Sequence, residues 1–213
     1  MKILIACESS GVIRDAFRAR GHEAYSCDVI DTGHKYHICD DVLNILDQNW
    51  DMMIAHPPCT YLSVSGMHWT ARGLRDPQLT EDALDFVRKL MDAPIAKIVI
   101  ENPVSVISTR IKKASQYIQP YQFGKDRSKK TGLWLKNLPI LEPSEYVEPT
   151  RWACCGKWME KDSTCNKCDK KPKPRWSNQT QDGADKTPPS KDRWKTRSQT
   201  DKGIAEAMAN QWG

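Results

Sequence analysis

The chain has 213 residues, 39% of them hydrophobic, and a formal net charge of +5, and this length suits one substantial core with at most a small appendage. No apolar run approaches the roughly 18 residues of a membrane-spanning helix, and residues 1–6 are followed directly by Cys7 and Glu8, so we expect neither a membrane span nor a signal peptide. We therefore expect an intracellular, cytoplasmic protein.

The positive charge is concentrated in the C-terminal part of the chain. Residues 1–120 carry 13 Lys and Arg against 15 Asp and Glu, whereas residues 121–213 carry 19 against 12, which gives the second part a charge of +7. A basic part beside a nearly neutral one suits a surface that neutralises the phosphates of a nucleic acid. The same excess also fits a solvated, lysine-rich loop.

The N-terminal residues predict a β-α-β unit. An apolar strand at residues 2–7 is followed by a tight loop at 8–11 and by a helix that ends near Gly21, the residue type that commonly follows a helix. Residues 23–29 predict a second strand, with Asp28 near its carboxyl end.

The middle of the chain continues this alternation. It predicts a short helix with an acidic start at 40–47, a buried strand at 52–55, a long loop at 60–75, a helix at 78–92, a strand at 96–101 and another strand at 131–136. The helix at 78–92 is predicted from an apolar stripe at helical spacing, formed by Ala83, Phe86, Val87, Leu90 and Met91. Alternating strands and helices predict an α/β fold whose mostly parallel sheet carries helices on both faces.

The composition changes near residue 150. Residues 151–198 are rich in Lys, Pro, Trp and Cys and show no amphipathic period. We therefore divide the chain into a core at 1–150, a basic insert at 151–198 and a C-terminal helix at 199–213. The helix is predicted to dock on the core because it has one apolar-rich face, formed by Ile204, Ala207, Met208, Gln211 and Trp212.

Four of the eight cysteines lie within 15 residues, at Cys154, Cys155, Cys165 and Cys168. In a reducing compartment such a cluster indicates a metal site rather than disulfides. The last two cysteines form a C-x-x-C half-site, whereas the first two are adjacent, so we predict a structural zinc site. Three ligands, or ordinary reduced thiols, are the alternatives.

Basic and aromatic residues surround this cysteine cluster and make it a candidate for nucleic-acid contact. Solvated lysines are the simpler interpretation. The residues are Trp152, Lys157, Trp158, Lys167, Lys170, Lys171, Lys173, Arg175 and Trp176.

Polar and nucleophilic side chains lie at the carboxyl ends of the predicted strands. They are those of the loop at 7–11, Asp28, Cys59 and Glu101. Open α/β sheets bind ligands beyond the carboxyl ends of their strands, so these residues are expected to meet there. Pro57 and Pro58 end the strand before Cys59 and leave it little backbone freedom. Because neither a P-loop nor a GxGxxG motif occurs, a nucleoside-type cofactor fits better than ATP or NAD, with Asp28 accepting from ribose hydroxyls.

Several of these residues also suit purely structural roles. Asp28 and Asp41 also suit helix caps or solvated turns. His56 and His68 are predicted to be loop or packing residues, and Cys7, Cys27 and Cys39 to be core residues.

Two motifs resemble those of a known enzyme family. His56-Pro57-Pro58-Cys59-Thr60-Tyr-Leu-Ser63 resembles the Pro-Pro-Cys nucleophile motif of DNA cytosine-5 methyltransferases, and Glu101-Asn102-Pro103-Val104 resembles their Glu-Asn-Val motif. The resemblance covers roughly residues 2–136 and is closest to small phage-type members. It implies a Rossmann-like methyltransferase fold, S-adenosylmethionine as the cofactor and DNA as the substrate.

The resemblance also implies roles for individual residues. Cys59 would be the nucleophile that attacks cytosine C6, and Glu101 would hold or protonate N3. Lys129, Lys130 and Thr131 would contact the base. The S-adenosylmethionine site would comprise Cys7, Glu8, Ser9, Ser10, Gly11 and Pro57, with Asp28 at the ribose and Asp41 at the adenine.

The sequence departs from the family pattern at several points. Glu-Ser-Ser-Gly at 8–11 replaces a glycine-richer run, and Thr60 replaces a Gln. The segment 127–131 lacks the family's paired arginines, and the large target-recognition domain is missing. The alternative is therefore a non-catalytic nucleic-acid-binding protein on a degenerate methyltransferase scaffold. An amino-methyltransferase is disfavoured because its chemistry needs no thiol at position 59.

Overall fold

The computed structural model describes residues 1–186 and 199–213, which divide into two compact units. The first unit comprises Met1–Ile118, Lys130–Glu142 and Met208–Gly213, and the second comprises Gln119–Lys129 and Pro143–Ala207. The last part of the predicted insert, residues 187–198, lies outside the described residues. No described helix combines the length and apolar character that crossing a membrane requires.

A seven-stranded sheet forms the first unit, with the strand order β3-β2-β1-β4-β5-β7-β6. Strands β1 to β5 pair in parallel, and β7 is antiparallel to both of its neighbours. The prediction of an α/β fold with a mostly parallel sheet is therefore confirmed. The strands are β1 (Lys2–Ala6), β2 (Glu23–Asp28), β3 (His37–Cys39), β4 (Met52–Ala55), β5 (Lys97–Pro103), β6 (Gln116–Ile118) and β7 (Thr131–Lys136).

Helices connect these strands and continue into the C-terminal segment. They are α1 (Val12–Arg18), α2 (Val64–Ala71), α3 (Gln78–Met91), α4 (Ile107–Arg110) and α5 (Lys202–Trp212). In the first unit, the Trp212 indole N–H at the end of α5 donates to the Pro139 carbonyl at 3.1 Å.

The core of the first unit lies on both faces of the central strands. On one face, side chains of β1, β4 and β5 pack with Leu84, Val87 and Leu90 of α3. Ile3 and Ile5, which alternate with the β1 residues of that face, are also fully buried. Burial on both faces explains why these strands are continuous apolar runs, and each such side chain contributes about 1.5–3 kcal/mol of transfer free energy.

Two predicted elements differ in the structure. The predicted long loop at 60–75 is wrong, because it contains α2, whose first turn is capped by Ser63 Oγ accepting from the Gly66 N–H at 3.2 Å. The predicted helix at 40–47 is only a 3-10 turn at Val42–Asn44, where Asp41 Oδ1 accepts from the Leu43 N–H at 3.0 Å. α2 shows no apolar stripe because its sequence is nearly uniformly mixed, so periodicity could not reveal it.

The second unit contains a small antiparallel sheet of three strands in the order β10-β8-β9. These strands are β8 (Arg151–Cys154), β9 (Lys157–Met159) and β10 (Lys173–Arg175). Strands of three or four residues are too short to show alternation, so the sequence did not predict them. Next to β10, the Trp176 ring stacks on Tyr121 at 4.2 Å between ring centres.

Candidate active site and candidate metal centre

The strand order reverses between β1 and β4, because β2 and β3 lie beyond β1 while β5 lies beyond β4. In open α/β sheets the crevice at such a switch point is where ligands bind. The loop after β1 begins at Cys7 and the loop after β4 begins at His56. The His56 N–H donates to the Ala6 carbonyl at 2.9 Å, so the two loops leave the sheet side by side.

Cys59 lies on a turn that hydrogen bonds hold in place. Its carbonyl accepts from the N–H groups of Leu62 and Ser63, at 3.1 and 2.9 Å, and its side chain is exposed. The Leu62 carbonyl in turn accepts from the Val106 N–H at 3.0 Å. The turn is therefore tied to the segment after β5, and two preceding prolines restrict its backbone further.

Glu101 pairs with His56 in a mostly buried position. The parallel register of β4 and β5 places Ala55 opposite Ile100, so the next residues of both strands are neighbours. His56 Nδ1 lies 2.8 Å from Glu101 Oε2, and the two side chains are 9% and 11% exposed. His56 Nε2 is buried and has no hydrogen-bond partner among the described residues.

The sequence predicts only that His56 is a loop or packing residue. The structure shows that it also has a polar partner, Glu101. The signal for this pair in the sequence was an equal offset, because His56 and Glu101 each directly follow a run of buried apolar strand residues. That signal becomes informative only when the register of the two strands is known.

Asn102 ties the two motifs together. Its Nδ2 donates to the Pro57 carbonyl at 2.8 Å, and the side chain is 1% exposed. Its Oδ1 is buried and has no partner within residues 1–186 and 199–213. Pro57 is itself buried, so the Pro-Pro-Cys turn and the Glu-Asn-Pro segment form one structural block.

The loop after β1 has an unusual backbone. Cys7 and Gly11 both have positive φ values, 57° and 73°, and such a conformation is uncommon for a non-glycine residue such as Cys7. Glu8 is 7% exposed, and its Oε1 accepts from Ser10 Oγ at 2.6 Å and from the Ile13 N–H at 3.5 Å. Glu8 Oε2 is buried without a partner in the part of the chain that the structure describes. Ser9 is half-buried in the same loop.

Asp28 and Asp41 lie within electrostatic reach of this loop. Burial raises the pKa of the Cys7 thiol, and the charges of Asp28 and, more weakly, Asp41 raise it further. Asp28 Oδ1 accepts from the Ile30 N–H at 3.0 Å. The structure therefore brings Cys7, Asp28 and Asp41 together, with Glu8 adjoining Cys7 in the chain. The group is rich in carboxylates, which suit the ammonium and hydroxyl groups of a nucleoside-type cofactor.

Thr131 and Lys129 fall in different units. Thr131 begins β7 opposite Pro103 of β5, two residues beyond Glu101, and is buried. Lys129 belongs to the second unit, where its N–H donates to Gln119 Oε1 at 2.9 Å.

The four clustered cysteines form a candidate metal centre in the second unit. The Sγ atoms of Cys154, Cys155, Cys165 and Cys168 all lie within 4.8 Å of one another, and those of Cys154 and Cys168 are 3.3 Å apart. Tetrahedral zinc with Zn–S bonds of about 2.3 Å separates its sulfurs by about 3.8 Å. The cluster therefore has the donor type, number and spacing that could hold a zinc ion.

No protein-family model matches the sequence, and no curated protein matches it. Among solved structures, the chain is similar to a candidate DNA modification methyltransferase encoded within a prophage, from E. coli, at 12% sequence identity and a TM-score of 0.44. The alignment covers 70% of this chain and 52% of that chain, so the match spans about half of the E. coli protein. A similarity of this size does not define the function of the chain.

Proposed function

We propose that the protein is an S-adenosylmethionine-dependent DNA cytosine-5 methyltransferase. The observation that carries the proposal is that Cys59 lies on a hydrogen-bonded turn after β4, while the neighbouring strand β5 carries Glu101, which pairs with His56 in a mostly buried position. A thiol and a carboxyl group on neighbouring strand ends are the two groups that methylation at C5 of cytosine requires.

The chemistry explains why both groups are needed. Carbon-5 of cytosine is too weak a nucleophile to take a methyl group directly. The Cys59 thiolate adds to C6, and the ring electrons shift so that C5 becomes enamine-like. Glu101 holds or protonates N3 as negative charge develops on the ring. After C5 has gained the methyl group and lost its proton, the C6–S bond breaks and Cys59 is released.

His56 acts on Glu101 in this scheme. A hydrogen bond of 2.8 Å between Nδ1 and Oε2 fixes the orientation of the carboxyl group. Because both side chains are nearly fully buried, the bond operates in a low-dielectric environment and is stronger than it would be in water. Asn102 holds the adjoining backbone through Pro57.

The residues around the switch point fit the proposed cofactor. When bound, S-adenosylmethionine supplies the methyl group. Cys7, Ser9, Ser10, Gly11 and Pro57 would line its site. The buried Glu8 carboxylate, which keeps one oxygen without a partner among the described residues, would accept from its ammonium group. Asp28 would accept from the ribose hydroxyls and Asp41 from the adenine amine.

DNA is the proposed substrate, and the second unit is proposed to contribute to its recognition. Lys129 and Thr131 are proposed to contact the base, and zinc held by the four cysteines is proposed to stabilise the unit. If the target cytosine lies in a duplex, it must be flipped out at a cost of a few kcal/mol.

A transfer experiment and a trapping experiment test the proposal. Labelled S-adenosylmethionine and cytosine-containing DNA are expected to yield 5-methylcytosine. An oligonucleotide with 5-fluorocytosine should trap a covalent adduct on a denaturing gel, because the fluorine at C5 cannot leave as a proton does. Cys59→Ser should lose both activities, and the matched variant Cys39→Ser, at another exposed cysteine, should retain both. Absence of transfer across varied sequences, or equal trapping by Cys59→Ser, would contradict the proposal.

The alternative is a DNA-binding protein on an inactive methyltransferase scaffold. It is favoured by the Glu8 side chain, whose Oε1 is already engaged by Ser10 and Ile13 within the loop. Calorimetry with S-adenosylmethionine separates the two proposals. The enzyme is expected to bind the cofactor, and Glu8→Ala is expected to weaken that binding, whereas the inactive scaffold would bind none.

A further inference from the structure

An aromatic ring flanked by cations lies on the small sheet of the second unit. Trp158 of β9 is 41% exposed. The Arg151 guanidinium lies 5.0 Å from the centre of its ring, and the Lys186 ammonium lies 5.8 Å from it. Among the described exposed hydrophobic residues of the second unit, Trp158 is the largest.

The strand register places more positive charge on the same face of this sheet. Trp158 pairs with Ala153 of β8, and Ala153 pairs with Lys173 of β10. Arg151 lies two residues before Ala153 and pairs with Arg175. Residues opposite each other, or two apart on one strand, point to the same face. This face therefore carries Trp158, Arg151, Lys173 and Arg175.

Internal hydrogen bonds hold the arginines of this face. Arg151 Nη2 donates to the Trp176 carbonyl at 2.6 Å, and Arg175 Nε donates to the Gln181 carbonyl at 3.0 Å. The guanidinium groups are thus positioned before any ligand binds, which lowers the entropy cost of binding.

A cleft of about 320 Å³ adjoins the ring, lined by residues that include Arg151, Trp152, Trp158 and Lys161. The Lys161 ammonium lies 5.4 Å from the centre of the Trp152 ring, so a second aromatic ring with a cation borders the same cleft. Over residues 150–186 the chain has 9 Lys and Arg against 5 Asp and Glu, which gives this segment a net charge of +4.

We propose that Trp158 and the adjoining cleft form a stacking site for an unpaired base of single-stranded DNA, with Arg151, Lys173 and Arg175 next to the phosphates. The inference rests on the proposed function for the identity of the ligand as DNA. An exposed aromatic ring beside positive charge is the arrangement that binds single strands, because every unpaired base offers a π face. In a duplex these faces are already stacked on one another.

Fluorescence anisotropy with dye-labelled oligonucleotides tests this site in the full-length, zinc-loaded protein. A single strand is expected to bind more tightly than a duplex of equal length. Trp158→Ala should weaken single-strand binding by about 10-fold, within the range found for loss of one base-stacking ring. Trp158→Phe should keep most of the affinity, and Trp158→Leu should lose it, because the ring and not its apolar surface is required.

Trp69→Ala is the matched control, because Trp69 is 46% exposed and belongs to the first unit. It should bind as the wild type does. Zinc content and circular dichroism verify that each Trp158 variant is folded. Wild-type affinity in a folded Trp158→Ala, equal loss in Trp69→Ala, equal binding of duplex DNA, or tighter binding of RNA of the same sequence would each overturn the inference.

Methyl transfer to the same oligonucleotides separates this inference from the proposed function. If Trp158→Ala loses affinity but methylates a saturating single strand, both stand. If the wild type binds single strands through Trp158 but transfers no methyl group, the stacking site stands and the enzymatic proposal fails. If methylation occurs and Trp158 has no effect on binding, only the stacking site fails.

Discussion

At the scale of single residues, the candidate site contains an acid and a base, Glu101 and His56, that face each other and are mostly buried. Burying a charged or polar pair is costly unless its hydrogen bonds are made. His56 and Glu101 satisfy one of these bonds mutually, yet His56 Nε2 and Asn102 Oδ1 are buried without partners among the described residues. Such unsatisfied groups are uncommon in folded proteins, and a water, an ion or a ligand can supply the missing bonds.

Replacement of His56 tests its role as a positioning residue. His56→Ala removes a hydrogen bond to a charged group, which is worth about 1.5–3 kcal/mol, so kcat for methyl transfer should fall about 10-fold or more. The KM for S-adenosylmethionine should stay near the wild-type value, because the group acts on Glu101. His56→Gln, which keeps a donor, should recover part of the rate.

His68→Ala serves as the control for the loss of a histidine, and it should leave the rate unchanged. Steady-state kinetics over a range of pH values measures all three variants. A pH–rate profile for His56→Ala that matches the wild type in height and shape would show that the pair with Glu101 has no part in the reaction.

Buried thiols make the stability of the protein depend on pH. Burial raises the pKa of Cys27 from 9.0 to about 11. As pH rises, the Cys27 thiol therefore loses its proton at a lower pH in the unfolded chain than in the folded one. The free energy of unfolding should decrease as pH rises above about 9. The contribution of Cys27 between pH 8 and pH 10 is about 1 kcal/mol.

Urea unfolding at both pH values measures this effect. Other groups also titrate in the range, so the informative quantity is the change in free energy between pH 8 and pH 10 in wild type compared with Cys27→Ala. We expect a smaller decrease in the variant, whatever its absolute stability. An equal decrease in the two proteins would show that Cys27 is not the source.

At the scale of elements, the position of Cys59 depends on α2. Gly66 lies in the first turn of this helix, and a side chain built there would overlap the Thr60 carbonyl oxygen. The same carbonyl accepts from Arg75 Nη1 at 3.1 Å. The absence of a side chain at Gly66 therefore lets the helix approach the turn that carries Cys59.

Gly66→Ala should displace that turn. The overlap is with backbone and not with a flexible side chain, so we expect a loss of stability of about 1–3 kcal/mol and a larger loss of methyl transfer than of S-adenosylmethionine binding. Val64→Ala, at a 63% exposed position of the same helix, is the control for a change in α2 and should behave as the wild type. Thermal melts, calorimetry and kinetics give the three readouts, and a fully active Gly66→Ala would show that the contact is not needed.

At the scale of the whole molecule, the two units differ in how many apolar side chains they bury. The first unit buries apolar residues on both faces of a seven-stranded sheet. In the second unit, the described residues from 143 to 186 bury only Ala153, Cys165 and Pro172, and the remaining segments of the unit add Pro120, Phe123, Ile204, Ala205 and Ala207. So small a core recovers little of the conformational entropy that the ordered residues of this unit lose, and zinc at the proposed site would contribute about 10–16 kcal/mol.

Metal removal tests this account of the second unit. The purified protein should contain one zinc per chain, and a strong chelator or Cys168→Ser should unfold the second unit. Its loss should be seen as proteolysis within residues 143–186 and as a fall in DNA binding. Cys39→Ser, outside the cluster, should keep the metal. Far less than one zinc per chain after dialysis, with the second unit still resistant to protease, would contradict the metal site.

The sequence by itself determined the elements whose signals are local. Continuous apolar runs identified β1, β4 and β5, and a helical stripe identified α3, although the residues most buried in α3 include Leu84, which the stripe omitted. The cysteine spacing predicted a cluster whose sulfurs the structure brings together. The motif at residues 56–59 also placed a thiol directly after a strand. Each of these features depends on residues a few positions apart.

The tertiary structure alone decided the arrangements that join distant segments. The antiparallel direction of β7, the pairing of His56 with Glu101 and the close contact of Gly66 with Thr60 are set by strand register and packing. In the second unit, β10 pairs with β8 across 20 residues or more, and neither strand is long enough to show alternation of its own. No local pattern encodes a register or a close approach, because their energy comes from partners far apart in the chain.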